Sequence, residues 1–179
     1  MYYYFLASLP YLQFGQQAPL GLDKFMHMSA NLLKASDFQE LEALLKNRQH
    51  KCSSAFAQKW FALDTQIRNN LVKARANKLQ VEASDFLHIH SGYSIFVDKM
   101  VKEALEQDNP LKMERELDRG RWQLLSELSL NDHFGIDSVL CFGLQLKILH
   151  RWTALEAEQG RKKLENIISS NTAEIQKQD

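Results

Sequence analysis

A mainly α protein, folded as a multi-helix bundle with at most a short N-terminal strand, is what this sequence predicts, and three observations carry the prediction. Apolar residues recur at helical spacing: Phe56, Trp60, Leu63, Ile67, Leu71 and Ala74 follow one another at four, three, four, four and three residues, which lines up one buried helix face. Turn formers are scarce, with 7 Gly and 3 Pro among 179 residues, too few for hairpins and barrels. Hydrophobic residues at 45% and charged residues at 25% are ordinary globular values. A chain of this size buries roughly 70% of its unfolded surface, so it needs neither metal nor disulfide to fold.

The elements follow in order. Residues 2–9 are short and aromatic, a buried strand or the first turns of a core helix; periodicity does not decide between them. Pro10, Gly15, Pro19 and Gly21 mark a loop. Phe25, Met26, Met28, Leu32 and Leu33 then read as a helix, with Asp23 in its N-cap region. Ser36 with Gln39 three residues on is a capping box, opening a short helix that carries Leu41, Leu44 and Leu45. Residues 47–53 form a polar connection. The apolar stripe above predicts a long helix over 54–79, whose other face (Asn69, Asn70, Lys73, Arg75 and Lys78) reads as mostly solvated. Residues 82–92 are irregular. Tyr93, Phe96, Val97, Met100, Val101 and Leu105 predict the next helix, stopped near Asp108-Asn109-Pro110. Met113, Leu117, Leu124, Leu125 and Leu128 place another over 111–130. After Asn131-Asp132-His133 and Gly135, Asp137 or Ser138 can cap a last long helix bearing Val139, Leu140, Leu144, Ile148, Leu149, Trp152 and Leu155. Gly160 interrupts its pattern at about 1 kcal/mol relative to Ala. Leu164, Ile167 and Ile168 continue it, and 171–179 reads as a frayed polar end. With no repeat and no linker, one helical domain over 1–179 is the first choice. Two subdomains meeting near 108–110 is the second.

Lys plus Arg and Asp plus Glu each number 22. The charge balance argues against nucleic acid as main partner, since phosphate binding selects a basic excess. Cys52 and Cys141 stand far apart and read as reduced thiols of a cytosolic protein. The N-terminus lacks a basic signal-peptide segment. No apolar stretch reaches the ~20 residues of a membrane span; the nearest, 136–149, contains Asp137, Gln145 and Lys147.

No nucleotide-loop, zinc-protease or nucleophile-elbow motif is present. His88 and His90 would share one face on a strand, as metal ligation can require, but no matching carboxylate or cysteine accompanies them. Phe25-Met26-His27-Met28 is soft enough for copper, although Met at helical spacing is ordinary core filler. Cys141 with His133 or His150 would make a nucleophile and base, yet its apolar surroundings raise a thiol pKa and make it inert. Glu114 and Glu116 have no specificity as a carboxylate pair. Glu116-Leu117-Asp118-Arg119-Gly120-Arg121-Trp122 is more informative. It offers local ion pairs such as Asp118 with Arg121, a glycine for close backbone approach, and arginine anchors for a packed helix or a partner.

Three stretches carry a family resemblance: Tyr2-Tyr3-Tyr4-Phe5-Leu6-Ala7-Ser8-Leu9-Pro10; residues 109–122, from Asn109-Pro110-Leu111 to the Arg-Trp segment; and Phe134-Gly135-Ile136-Asp137 through Leu146-Lys147-Ile148-Leu149-His150-Arg151-Trp152. Together they resemble an uncharacterised bacterial family encoded among V-type ATPase subunits. That family looks like the counterpart of the C (or d) subunit, the helical socket between rotor shaft and membrane ring. The resemblance implies a non-catalytic subunit or assembly factor without cofactor or metal. It also implies that the protein is cytoplasmic, peripheral at the inner face of the cell membrane, and partnered by the shaft or ring. Tyr2, Tyr3, Tyr4, Tyr11, Arg119, Arg121 and Trp122 are then the expected partner-binding residues, with exposed aromatics as the signature. Two alternatives stay open. One is a small helical metal-binding protein or enzyme using His88, His90 and a carboxylate. The other is a nucleic-acid-associated protein using Lys73, Arg75 and Lys78.

Overall fold

The computed structural model describes residues 1–155. Seven α-helices account for their regular structure, and no strand occurs among the described residues. They are α1 (Tyr3–Ser8), α2 (Leu22–Leu32), α3 (Ala35–Leu45), α4 (Ala55–Leu79), α5 (Ile95–Leu105), α6 (Pro110–Ser129) and α7 (Ile136–Ala154), with two short 3-10 turns, Gln49–Lys51 and Ser84–Phe86. The predicted Gly160 break, the apolar continuation through Ile168 and the polar end lie outside the described residues.

α7 is the central rod. Val139, Leu140, Cys141, Gly143, Leu144, Leu146 and Leu149 are buried, and three consecutive buried residues mean that neighbours surround the helix. It packs against α6 on one side and α2 and α3 on the other, while α4 lies across α5 and α6. A Cβ at Gly143 would stand 2.9 Å from Leu41 Cδ1 and 3.1 Å from Phe25 Cε1, so its absence lets α2 and α3 sit down on α7. One apolar cluster runs from Phe5 to Leu149, and the turn at 106–109 joins α5 to α6, which pack on each other.

The N-terminal segment is helix, not strand. The α1 turn is too short to stand alone and is tied down at three points. The Tyr2 amide donates to the Phe134 carbonyl at 2.6 Å, the Tyr2 hydroxyl donates to Asp37, and Phe5 stacks on Phe25 at 6.1 Å.

Caps explain where the helices begin. Ser54 accepts from the Ala57 amide at 3.1 Å and starts α4. Asn109 accepts from Leu111 with Pro110 in the first turn, and so starts α6. Three expected caps are corrected. α2 begins after Gly21, leaving Asp23 inside its first turn, where a carboxylate suits the helix dipole. α3 begins at Ala35, so Ser36 and Gln39 lie inside the helix and form no capping box; the Lys34 amide is bonded instead by the Tyr2 hydroxyl at 3.2 Å. α7 begins after Gly135, and Asp132, rather than Asp137 or Ser138, supplies the acceptor, taking the Asp137 amide at 3.1 Å.

α4 differs most from its pattern. The face expected to be solvated holds buried Asn69, whose side chain makes a reciprocal pair with the backbone of His88 at 2.7 and 3.0 Å. Gln66, also buried, brackets Ser94 the same way and reaches Asp98 at 2.9 Å. Polar α4 residues thus hold the irregular 82–94 segment, satisfying its backbone where no ladder exists.

Candidate functional site

The Glu116–Trp122 segment of the sequence turns inward at Asp118. This side chain is on the buried side of α6 and only 2% exposed, a position where a carboxylate persists only if fully partnered. Its Oδ1 accepts from Arg121 Nη1 at 2.9 Å, one turn along α6. Its Oδ2 accepts from Arg151 Nη2 at 2.5 Å and Trp152 Nε1 at 2.9 Å, both from α7. Arg121 also reaches Asp64 of α4 through Nε at 3.4 Å, and Asp64 pairs with Arg68 at 2.5 Å. Arg151 takes a second carboxylate, Glu114, at 3.2 Å. Three helices are therefore cross-linked by one charged node.

Beside the node lies a cavity of about 490 Å³ between α4, α6 and α7, within the usual size of small-ligand sites. Trp60, Leu144 and Ile148 form apolar wall, and Asn47 stands at its edge. Lys147 enters from α7 and donates to the Leu45 carbonyl at the C-terminus of α3 at 2.5 Å. Burial pushes the Lys147 ammonium below its ordinary value, partly offset by the Asp64 charge. Four cations (Arg68, Arg121, Lys147 and Arg151) face two carboxylates, Asp64 and Asp118, in the cavity lining.

The expected partner-binding residues divide. Tyr3 and Tyr4 are exposed, the latter at 87%, and meet edge to face at 5.5 Å. Tyr3 also meets the exposed ring of Phe134 at 5.1 Å, so one aromatic patch spans α1 and the α6–α7 turn. Tyr11 is exposed as well. Tyr2 is half-buried with its hydroxyl committed to Asp37. Arg121 belongs to the node at 17% side-chain exposure. Trp122 is half-buried against Phe14 at 5.7 Å. Arg119 remains outward, paired with Glu116 at 3.3 Å and 6.0 Å from the Phe14 ring. The sequence reading missed a second apolar surface on the α4–α5 connection, where Leu79, Val81, Phe86, Ile89, Tyr93 and Ile95 are exposed.

The remaining candidates do not converge. His88 is exposed while His90 is half-buried, and among the described residues no three His, Cys, Asp or Glu side chains gather as a metal site would need. Cys141 is buried, its thiol pushed up to about 11. His133 is exposed and His150 Nε2 bonds the Leu20 carbonyl at 2.9 Å, so neither serves Cys141 as a base. Met26 and Met28 pack against the core as filler. Asp64 and Arg151 went unseen because each lies more than 25 residues from the α6 segment it joins. Helical spacing within one element gives no signal for such pairs.

No helix among the described residues is long and apolar enough to cross a membrane. No curated protein and no solved structure matches the chain. Residues 96–175 match a family described as a protein of unknown function (DUF2764). The α5–α7 part, which carries Asp118, Arg121, Lys147 and Arg151, is therefore similar to an uncharacterised family.

Proposed function

We propose that this protein is a non-catalytic subunit or assembly factor of a V-type ATPase. In this reading it resembles the central-stalk C subunit and works at the cytoplasmic face by coupling the rotor shaft to the membrane ring. The ATPase itself enters through the sequence resemblance. What supports a protein-binding role is the patch of Tyr3, Tyr4 and Phe134. Three rings stand in solvent contact with one another while the Tyr2 amide and hydroxyl hold their backbone in place. Rigid aromatics lose little entropy on docking and dominate interface energetics. A contiguous exposed patch of this kind marks an interaction surface. The charged node suits the same role, since it locks α4, α6 and α7 into a body that transmits force.

The test is affinity capture from the native cells at native expression level, followed by mass spectrometry. V-type ATPase subunits are expected in the captured material, and the Tyr3→Ala/Tyr4→Ala double variant should lose them while folding normally. Capture free of every ATPase subunit would refute the ATPase assignment. Undiminished capture by the double variant would refute the patch.

A further inference from the structure

We propose that the cavity between α4, α6 and α7 is a binding site for a carboxylate carried on an apolar stem. The proposal stands apart from the ATPase reading, because it concerns a different surface and needs no subunit partner.

The first argument is charge. Among the described residues, Arg68, Arg121, Lys147 and Arg151 face Asp64 and Asp118 in the lining, an excess of two positive charges. Counting Glu114, which holds Arg151 from outside the cavity, still leaves one. An anion that enters completes the neutralisation.

The second argument is donor count. A guanidinium has five N–H groups. Arg121 spends Nε on Asp64 and Nη1 on Asp118. Its Nη2 makes no hydrogen bond among the described residues, in a side chain that lines the cavity. Among the described residues Arg68 is bonded through Nη2 alone. Among the described residues Lys147 has one acceptor, the Leu45 carbonyl, for three protons. Arg121 is held by two carboxylates and Lys147 by the Leu45 carbonyl, so of these donors a bound anion would have to organise only the more exposed Arg68.

The third argument selects the anion. Trp60, Leu144 and Ile148 offer apolar wall, which a bare inorganic ion cannot use. With Glu114 counted, one excess positive charge remains among the described residues, which a monoanion neutralises and a dianion such as phosphate overshoots. A volume of about 490 Å³ admits a short stem but not a large cofactor. Two sources present this chemistry, a free small acid and the C-terminal carboxylate of a peptide ending in an apolar residue.

Titration of the ¹⁵N-labelled full chain, read at the Trp60 indole N–H, tests the site. The probes are 4-phenylbutanoate and a hexapeptide ending in leucine, each beside its carboxamide, with inorganic phosphate as a third arm. We expect a saturable Trp60 shift with a Kd at or below about 1 mM for at least one acid. Its amide should bind at least about tenfold more weakly. Whichever acid binds identifies the source. Arg68→Gln and Lys147→Met should each weaken the acid about tenfold and leave the amide unchanged. If either variant fails to fold, the acid-against-amide comparison on the wild type still decides. Overturning results are no saturable shift with either acid, equal binding of acid and amide, or phosphate binding as tightly as the acids.

Discussion

Replacing Asp118 by Asn removes one charge and changes no volume, so it isolates what the node contributes. In the native protein the Asp118 carboxylate accepts from Arg121, Arg151 and Trp152. The bond to Arg121 is well buried, and a hydrogen bond to a charged group there is worth about 1.5–3 kcal/mol. The bond to Arg151 counts for less, about 0–1 kcal/mol, because that side chain is 44% exposed and can fall back on Glu114. The Trp152 bond adds about 1 kcal/mol, of which an Asn oxygen can recover part. Arg121 is left with Asp64 at 3.4 Å, a long contact that does not replace what was lost. The loss should be about 3 kcal/mol, at the lower end of the ~3–5 kcal/mol measured when a buried pair loses one partner. For a chain of this length each kcal/mol moves Tm by about 2–4 °C, so Tm should fall by about 6–12 °C. Urea unfolding followed by circular dichroism gives the free energy directly, and an unchanged m-value would show that the variant unfolds as one unit. Glu114→Gln is the control and should cost less than about 0.5 kcal/mol. A loss below about 1 kcal/mol for Asp118→Asn, or one no larger than that of Glu114→Gln, would refute the claim that this node ties the helices together.

Three further predictions rest on separate features. Glu40 accepts from the Ser53 and Ser54 amides and the Ser54 hydroxyl at 2.7–3.2 Å. Burial opposes its charge, but the bonds from Ser54 and Ser53 win and hold its carboxyl below the ordinary 4.5. Its stabilisation is therefore complete above about pH 4.5 and lost as pH falls through the depressed value. Glu40→Gln should cost about 2 kcal/mol at pH 7, with the difference shrinking in urea titrations carried into acid. A Cβ at Gly120 would stand 1.6 Å from Met100 Sδ and 2.4 Å from its Cγ. Gly120→Ala should thus destabilise by about 1–3 kcal/mol, and its cost in a Met100→Ala background should fall by more than about 1 kcal/mol in a double-mutant cycle. Iodoacetamide should modify half-buried Cys52 first. Cys141, buried and with its thiol pushed up to about 11, should react only as fast as the fold opens, which peptide mapping of a labelling time course measures.

Much of the fold was legible because a helix is a local object. The start of α4 near Ser54, the boundary at Asn109-Pro110 and the stripe from Phe56 to Ile67 depend on neighbours a turn apart. The errors arose where a distant group intervened. Ser36 is not the cap because α3 already begins at Ala35, after an N-cap at Lys34 whose amide donates to the Tyr2 hydroxyl 32 residues before it. Asn69 reads as solvent-facing until the 82–94 segment folds over it and uses its amide. The aromatic N-terminus was ambiguous between strand and helix because residues 2–9 are too few for either period to declare itself.

For the candidate site the division is sharper. Asp118 and Arg121 could be paired from their spacing on one helix. The sequence could not say that the pair faces the core, nor that Asp64 and Arg151 join it. By itself the sequence determined the helical segments from α2 to α7, though not α1, and that charge balances over the whole chain, because spacing and composition are additive along the chain. The tertiary structure alone decided where that balance fails: α4, α6 and α7 bring four cations and two carboxylates to one cavity. A local excess of charge belongs to the packing of helices, and no count along the chain contains it.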